Sequence, residues 1–163
     1  MGNTIVFNQT KLTEAFLKKT VSVVANYLND TTIGSLLDEH AEGNRAYYES
    51  LLSCLRRLVV YCEEGLEACR IILNEDPFRK AAAEKILYRI YHSCIEEFFA
   101  PKNEVWYEDS RSAYTGKNSI KFRETPPASL KNLISSLEAD FQAIREELEF
   151  YETDYRTKMI QTK

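Results

Sequence analysis

A chain of 163 residues with 44% hydrophobic and 28% charged residues has the size and balance of one globular domain. Five glycines and four prolines are few for a loop-rich or all-β protein, and a net charge of −4 argues against nonspecific nucleic-acid binding through overall charge. No apolar run approaches the ~20 residues that span a membrane. The first fifteen residues lack a basic stretch followed by a long apolar one, so no signal peptide is expected. The start "MGNTIV" carries Val6 where N-myristoylation needs Ser or Thr, which leaves a cytoplasmic protein as the expectation.

Residues 9–29 predict the first helix, with Leu12, Phe16, Val23, Val24, Tyr27 and Leu28 as an apolar stripe at helical spacing. Thr10 or Thr13 is the expected cap. A short helix is expected over Ile33–Glu39, closed by the break "EGN" at 42–44.

Residues 45–74 give a strong helical signal. Tyr48, Leu51, Leu52, Leu55, Leu58, Val59, Cys62, Leu66, Cys69 and Leu73 follow the three-and-four rhythm of one buried face. Gly65 interrupts it at a cost of about 1 kcal/mol against Ala, unless close packing requires it. Cys54, Cys62, Cys69 and Cys94 form no closely spaced pair, so they read as reduced core residues rather than zinc ligands. Glu63, Glu64 and Glu67 read as surface.

"NEDPF" at 74–78 is a stop-and-restart signal, with Asp76 as N-cap and Pro77 in the first turn. The next helix, 77–99, is expected to bury Ala81, Ile86, Leu87, Ile90, Tyr91, Cys94, Ile95, Phe98 and Phe99, and Pro101 ends it. The last helix is expected from near Pro127 to about Thr157. Its seam of Leu130, Ile134, Leu137, Phe141, Ile144, Leu148, Tyr151 and Tyr155 alternates steps of four and three, and its outer face is acidic. These elements predict a mainly α fold: an antiparallel bundle of about four long helices in a single domain over 1–163. The seam suits the bundle core, and its end also suits pairing in a homodimer.

Between the last two helices the period breaks. Residues 104–124 read as an inserted β-hairpin, with "TGKN" at 115–118 as its turn and Gly116 first in a two-residue loop. That register sets Ala113 opposite Ile120 and Arg111 opposite Phe122. It turns Val105, Tyr107, Ile120 and Phe122 toward the bundle and presents Trp106, Tyr114, Lys121 and Arg123 outward.

Two candidate sites follow. The first is a protein-contact surface on the hairpin, built from Trp106, Tyr107, Arg111, Tyr114 and Arg123, because Trp, Tyr and Arg dominate binding hot spots; the alternative is a hairpin that only covers one end or flank of the bundle, with Trp106 and Tyr107 as its anchors. The second is a small-ligand or catalytic site between the hairpin and the helix bearing Arg89, His92 and Glu96. His92 and Glu96 lie one turn apart, but the repeated Glu-x-x-His pairs of helical metal sites are missing, so no metal and no cofactor are expected. Nucleic-acid contact through Lys117, Lys121 and Arg123 is disfavoured by the acidic whole. Without a phosphate-binding glycine loop or a nucleophile elbow, a non-enzymatic binding or regulatory module with a protein partner is favoured over an enzyme.

The strings "RRLVVYCEEGLEAC", "DPFRKAAAEKILYRIYHSCIEEFF", "WYEDSRSAYTGKNSIKF" and "EELEFYETDYRTKMIQ" resemble the YpuI-like family, uncharacterised proteins of Bacillus-type bacteria, over nearly the whole chain. The resemblance implies a bacterial cytoplasmic protein of unknown role. It assigns no catalytic or binding residue.

Overall fold

The computed structural model describes residues 2–109 and 118–161. Helix α1 (Asn3–Asp30) leads through α2 (Ile33–Glu39) into α3 (Arg45–Leu73). A continuous helical rod follows, made of α4 (Lys80–Ile90), a π-helical turn (Tyr91–Ile95) and α5 (Glu96–Phe99). Strands β1 (Trp106–Glu108) and β2 (Ile120–Phe122) form the inserted hairpin, and α6 (Ala128–Gln161) closes the chain. The fold is mainly α, a bundle of long helices with one small antiparallel hairpin.

Cross-helix pairs set the directions. Gln9 meets Tyr151, Lys19 meets Asp140 and Tyr27 meets Ser129, so α1 and α6 run antiparallel. Arg57 meets Glu97 and the Tyr61 carbonyl meets Cys94, so α3 runs antiparallel to the α4–α5 rod. The α6 seam from Leu130 to Tyr151 is buried within this chain, with Phe141 stacked on Phe98 at 4.0 Å between ring centres. Aromatic rings of this size supply a large share of the burial that stabilises a core.

The face of α1 differs from the expected stripe. Its buried residues are Val6, Gln9, Thr10, Thr13, Leu17, Thr20 and Val24, while Leu12 is exposed. Neither Thr10 nor Thr13 caps the helix. Each donates its hydroxyl to the carbonyl one turn earlier, Val6 O at 2.8 Å and Gln9 O at 2.7 Å. A short side chain satisfied in this way packs like a small apolar one and lets helices approach closely. Gly65 serves the same end on α3: a Cβ there would lie 3.1 Å from both Ile90 Cγ1 and Leu17 Cδ1.

The restart after α3 also falls elsewhere. Asp76 does not cap; helix α4 begins at Lys80 with Arg79 as its N-cap, and the Asp76–Pro77 peptide is cis. The expected burial of Ala81 falls instead on Ala83, which the later start brings onto the core face.

The hairpin register differs by an odd step. Phe122 pairs with Trp106 and Ile120 with Glu108, not with Arg111 and Ala113. A shift of five exchanges the two faces of β1. Trp106 therefore turns inward, 1% exposed, and Tyr107 turns outward, 42% exposed. The turn at Gly116 lies outside the described residues.

Candidate ligand cleft

The π-helical turn sits at the centre of the most informative surface. In it the Glu96 N–H reaches back five residues to the Tyr91 carbonyl. One residue more than an α-turn is thereby fitted in, and the side chains of the segment are rotated relative to a regular helix; such bulges recur at functional sites. The core stripe of α4, Ala83–Leu87–Ile90, restarts at Tyr91, Cys94 and Ile95.

His92 belongs to this turn. Its Nδ1 lies 3.0 Å from Glu96 Oε2, and the Tyr88 ring meets the imidazole edge-on at 4.6 Å. With Nδ1–H donating to the carboxylate, the neutral imidazole presents Nε2 as an acceptor. Nε2 is buried and has no partner among the described residues. The Ser93 hydroxyl donates to the Arg89 carbonyl at 2.9 Å, which occupies its only proton.

These residues line a cleft of about 580 Å³ between α3 and α4. Helix α3 contributes Tyr61, Glu64, Gly65 and Ala68, and α4 contributes Ile86, Tyr88, Arg89 and Ile90. His92 and Ser93 close one side, and Lys102, just past α5, reaches over from the connector. Lys102 Nζ lies 3.4 Å from the Tyr61 hydroxyl and 5.5 Å from the centre of that ring. A volume of this size suits a small organic molecule.

Beneath the cleft the thiols of Cys62 and Cys94 hydrogen-bond to one another, and Cys94 donates to the Tyr61 carbonyl at 3.3 Å. That hydrogen bond, together with burial, pushes the Cys62 thiol up. Among the described residues no three His, Cys, Asp or Glu side chains gather where a metal ion would bind, and no helix is long and apolar enough to cross a membrane.

Of the second expected site, Arg89 and His92 line this cleft and Glu96 holds His92 from outside the lining. The cleft lies between α3 and α4, however, and none of the described hairpin residues lines it. The inward face of β1 packs on the core through Trp106, against Phe98 and Phe122. Sequence reasoning missed Tyr61, Tyr88, Ser93 and Lys102, which lie on two helices and a connector with no spacing in common.

Of the first expected site, Trp106 is packed against Phe98 and Phe122 and offers no outer surface. Tyr107 is exposed, with the Arg123 guanidinium 4.4 Å above its ring. Arg111, Tyr114 and Lys117 lie outside the described residues, and Lys121 is exposed.

Two ion pairs missed in the sequence hold the connector and hairpin in place. Arg145 on α6 binds Glu108 through both nitrogens at 2.9 and 2.7 Å and lies 3.7 Å over the Phe99 ring. Glu97, nearly fully buried, accepts from Arg57 at 2.9 Å and from the Lys102 amide. Buried Glu138 accepts from the Ser119 amide and hydroxyl at 3.0 and 3.1 Å, fixing the start of β2 on α6.

A mainly helical bundle with an inserted hairpin and a cleft at a π-turn is the class of protein that this geometry defines. The chain belongs to the protein family of unknown function DUF3907, whose model matches residues 10–157. It is 49% identical over 152 residues to the uncharacterized protein YpuI of Bacillus subtilis (strain 168), covering 93% of this chain and 84% of that one. No solved structure matches the chain.

Proposed function

We propose that the protein binds a small ligand in the α3–α4 cleft. The observation that carries this reading is the cleft itself, about 580 Å³ at the π-turn, where Arg89 and Lys102 stand beside Tyr61, Tyr88 and a His92 whose Nδ1 is held by Glu96. The π-turn that places His92 there supports the same reading. The cleft offers no activated nucleophile, because the Ser93 proton is committed to the backbone, so binding rather than turnover is favoured. A library of cell metabolites, screened by thermal shift and followed by amide chemical-shift mapping, tests this. The expected hits perturb residues 61–68 and 86–93 and are lost in His92→Phe. Hits that map to another surface, or no hit at all, would overturn it.

A second reading keeps the hairpin as a protein-contact surface, and the exposed Tyr107–Arg123 pair supports it. Cation–aromatic pairs of this kind are common anchors in interfaces. The burial of Trp106 takes away the largest anchor that reading had. Its test is capture of a reproducible partner that Tyr107→Ala combined with Arg123→Ala abolishes.

A further inference from the structure

We infer that the ligand of this cleft is a small aromatic anion bearing a hydrogen-bond donor. This inference rests on the ligand-binding reading above and specifies the chemistry of that site.

The charge of the lining comes first. Arg89 and Lys102 supply two cations, and neither has a carboxylate partner among the described residues. Lys102 is steered over the Tyr61 ring instead. Glu64, on the α3 wall, is the one carboxylate in the lining, because Glu96 lies behind His92 and is engaged by it. An anionic group is therefore met by two cationic donors, with the Tyr61 hydroxyl beside Lys102 and Glu64 as the opposing charge among the described lining residues, and charged hydrogen bonds of that kind are the stronger ones.

The body of the ligand is set by the floor. Ile86, Ile90 and Ala68 are apolar, and Gly65 lies buried beside them, where a Cβ would press on Ile90 and Leu17. The rings of Tyr61 and Tyr88 frame this floor, so a flat apolar body buries more surface than a sugar or a polyol would. The donor requirement comes from His92: with Nδ1–H given to Glu96, Nε2 is left as an acceptor without a partner among the described residues, sealed from water until a ligand donor enters beside it.

Four probes separate these requirements. 4-Hydroxybenzoate carries anion, ring and donor; benzoate lacks the donor; 4-hydroxybenzyl alcohol lacks the anion; tyramine carries a cation instead. Each is titrated at millimolar concentration into the full chain and followed by amide chemical shifts. 4-Hydroxybenzoate is expected to perturb residues 61–68 and 86–93 and to bind about tenfold tighter than the alcohol, the effect of one good charged contact. Arg89→Gln combined with Lys102→Gln should erase that preference, and both side chains are exposed enough to change without unfolding the protein. His92→Phe should erase the preference over benzoate.

Equal or tighter binding of the alcohol or of tyramine in the cleft would overturn the inference and leave the ligand-binding reading standing. So would a preference for 4-hydroxybenzoate that survives the Arg89 and Lys102 changes. No cleft perturbation by any of the four overturns the inference as well, and a metabolite screen that also fails to mark the cleft then removes the reading beneath it.

Discussion

The indole Nε1 of Trp106 donates to the carbonyl of Phe98 at 2.6 Å, inside the core. Helix α5 ends at Phe99, so the Phe98 carbonyl is one of the acceptors that a helix C-terminus leaves without an intrahelical donor. The hairpin thus caps the helix that precedes it. Trp106→Phe keeps most of the packing but strands that carbonyl, and is expected to cost about 1–3 kcal/mol. Trp106→Ala also opens a cavity beside Phe98 and Phe122 and is expected to cost about 3–5 kcal/mol. Urea unfolding midpoints of the three proteins check both. A midpoint for the Ala variant close to wild type would mean that the hairpin is not part of the cooperative core.

The turn-based register presents Trp106 outward and the packing-anchor reading buries it; the protein buries it, because long-range contacts rather than the turn set the register. A tight turn at Gly116 fixes pairing locally, and pairing fixes faces. In the protein the faces are set by long-range partners: the Phe98 carbonyl for Trp106 and the Arg145 guanidinium for Glu108. Neither partner has a signature in residues 104–124. The helices were legible where hydrophobic periodicity is strong, as in α3 and α6. It covered only part of α1: Val24 is buried and Phe16, Val23, Tyr27 and Leu28 pack against the core, but Gln9, Thr10, Thr13 and Thr20 share the buried face. Threonines that bond their own helix are invisible to a hydrophobicity count. The cleft was half legible: His92, Glu96 and Arg89 share one helix and stand out by type. The π-turn that aims His92 is a change in backbone hydrogen bonding with no composition of its own.

Glu97 and Arg57 form the most enclosed ion pair of the protein's described residues, with Glu97 side-chain exposure of 3%. The hydrogen bond that Arg57 donates to Glu97 is the leading cause that raises the Arg57 guanidinium above its ordinary value. Removing one partner leaves a charge with nothing opposite. Glu97→Gln is expected to cost about 3 kcal/mol. It should also loosen the Lys102 amide, which Glu97 accepts. A double-mutant cycle with Arg57→Met isolates the coupling, expected at about 1–3 kcal/mol. Additive effects would show that the two side chains stabilise independently.

Burial pushes the thiols of Cys54 and Cys69 up to about 12. In the unfolded chain a thiol loses its proton near about pH 8.5. Between those values the native state binds more protons than the unfolded state, so stability falls as pH rises. The contribution is complete below about pH 8.5 and disappears toward about pH 12, at about 1.4 kcal/mol per pH unit for each thiol. Burial also raises the phenols of Tyr27, Tyr47, Tyr91, Tyr151 and Tyr155, which steepens the same loss above about pH 10. Urea unfolding under reducing conditions from about pH 8 to about pH 10 should show the decline, and Cys54→Ala with Cys69→Ala should flatten it. Equal slopes in the two proteins would mean that these thiols ionise alike folded and unfolded.

Gly65 joins packing to the cleft. It lies where α3 meets Leu17 of α1 and Ile90 of α4, and it also forms part of the cleft floor. Two effects oppose one another in Gly65→Ala. The helix gains about 1 kcal/mol from replacing glycine, and the new Cβ presses on Ile90 and Leu17 at 3.1 Å, which costs a similar amount or more. The expected net change is within about 1 kcal/mol of wild type. Gly65→Leu has no such balance. Its side chain must either part α3 from α1 and α4 or fill the cleft, and a loss of at least about 3 kcal/mol is expected from overpacking. Thermal unfolding of the two variants separates the cases. A Leu variant as stable as wild type would have swung its side chain into the open cleft, and it should then fail to bind 4-hydroxybenzoate.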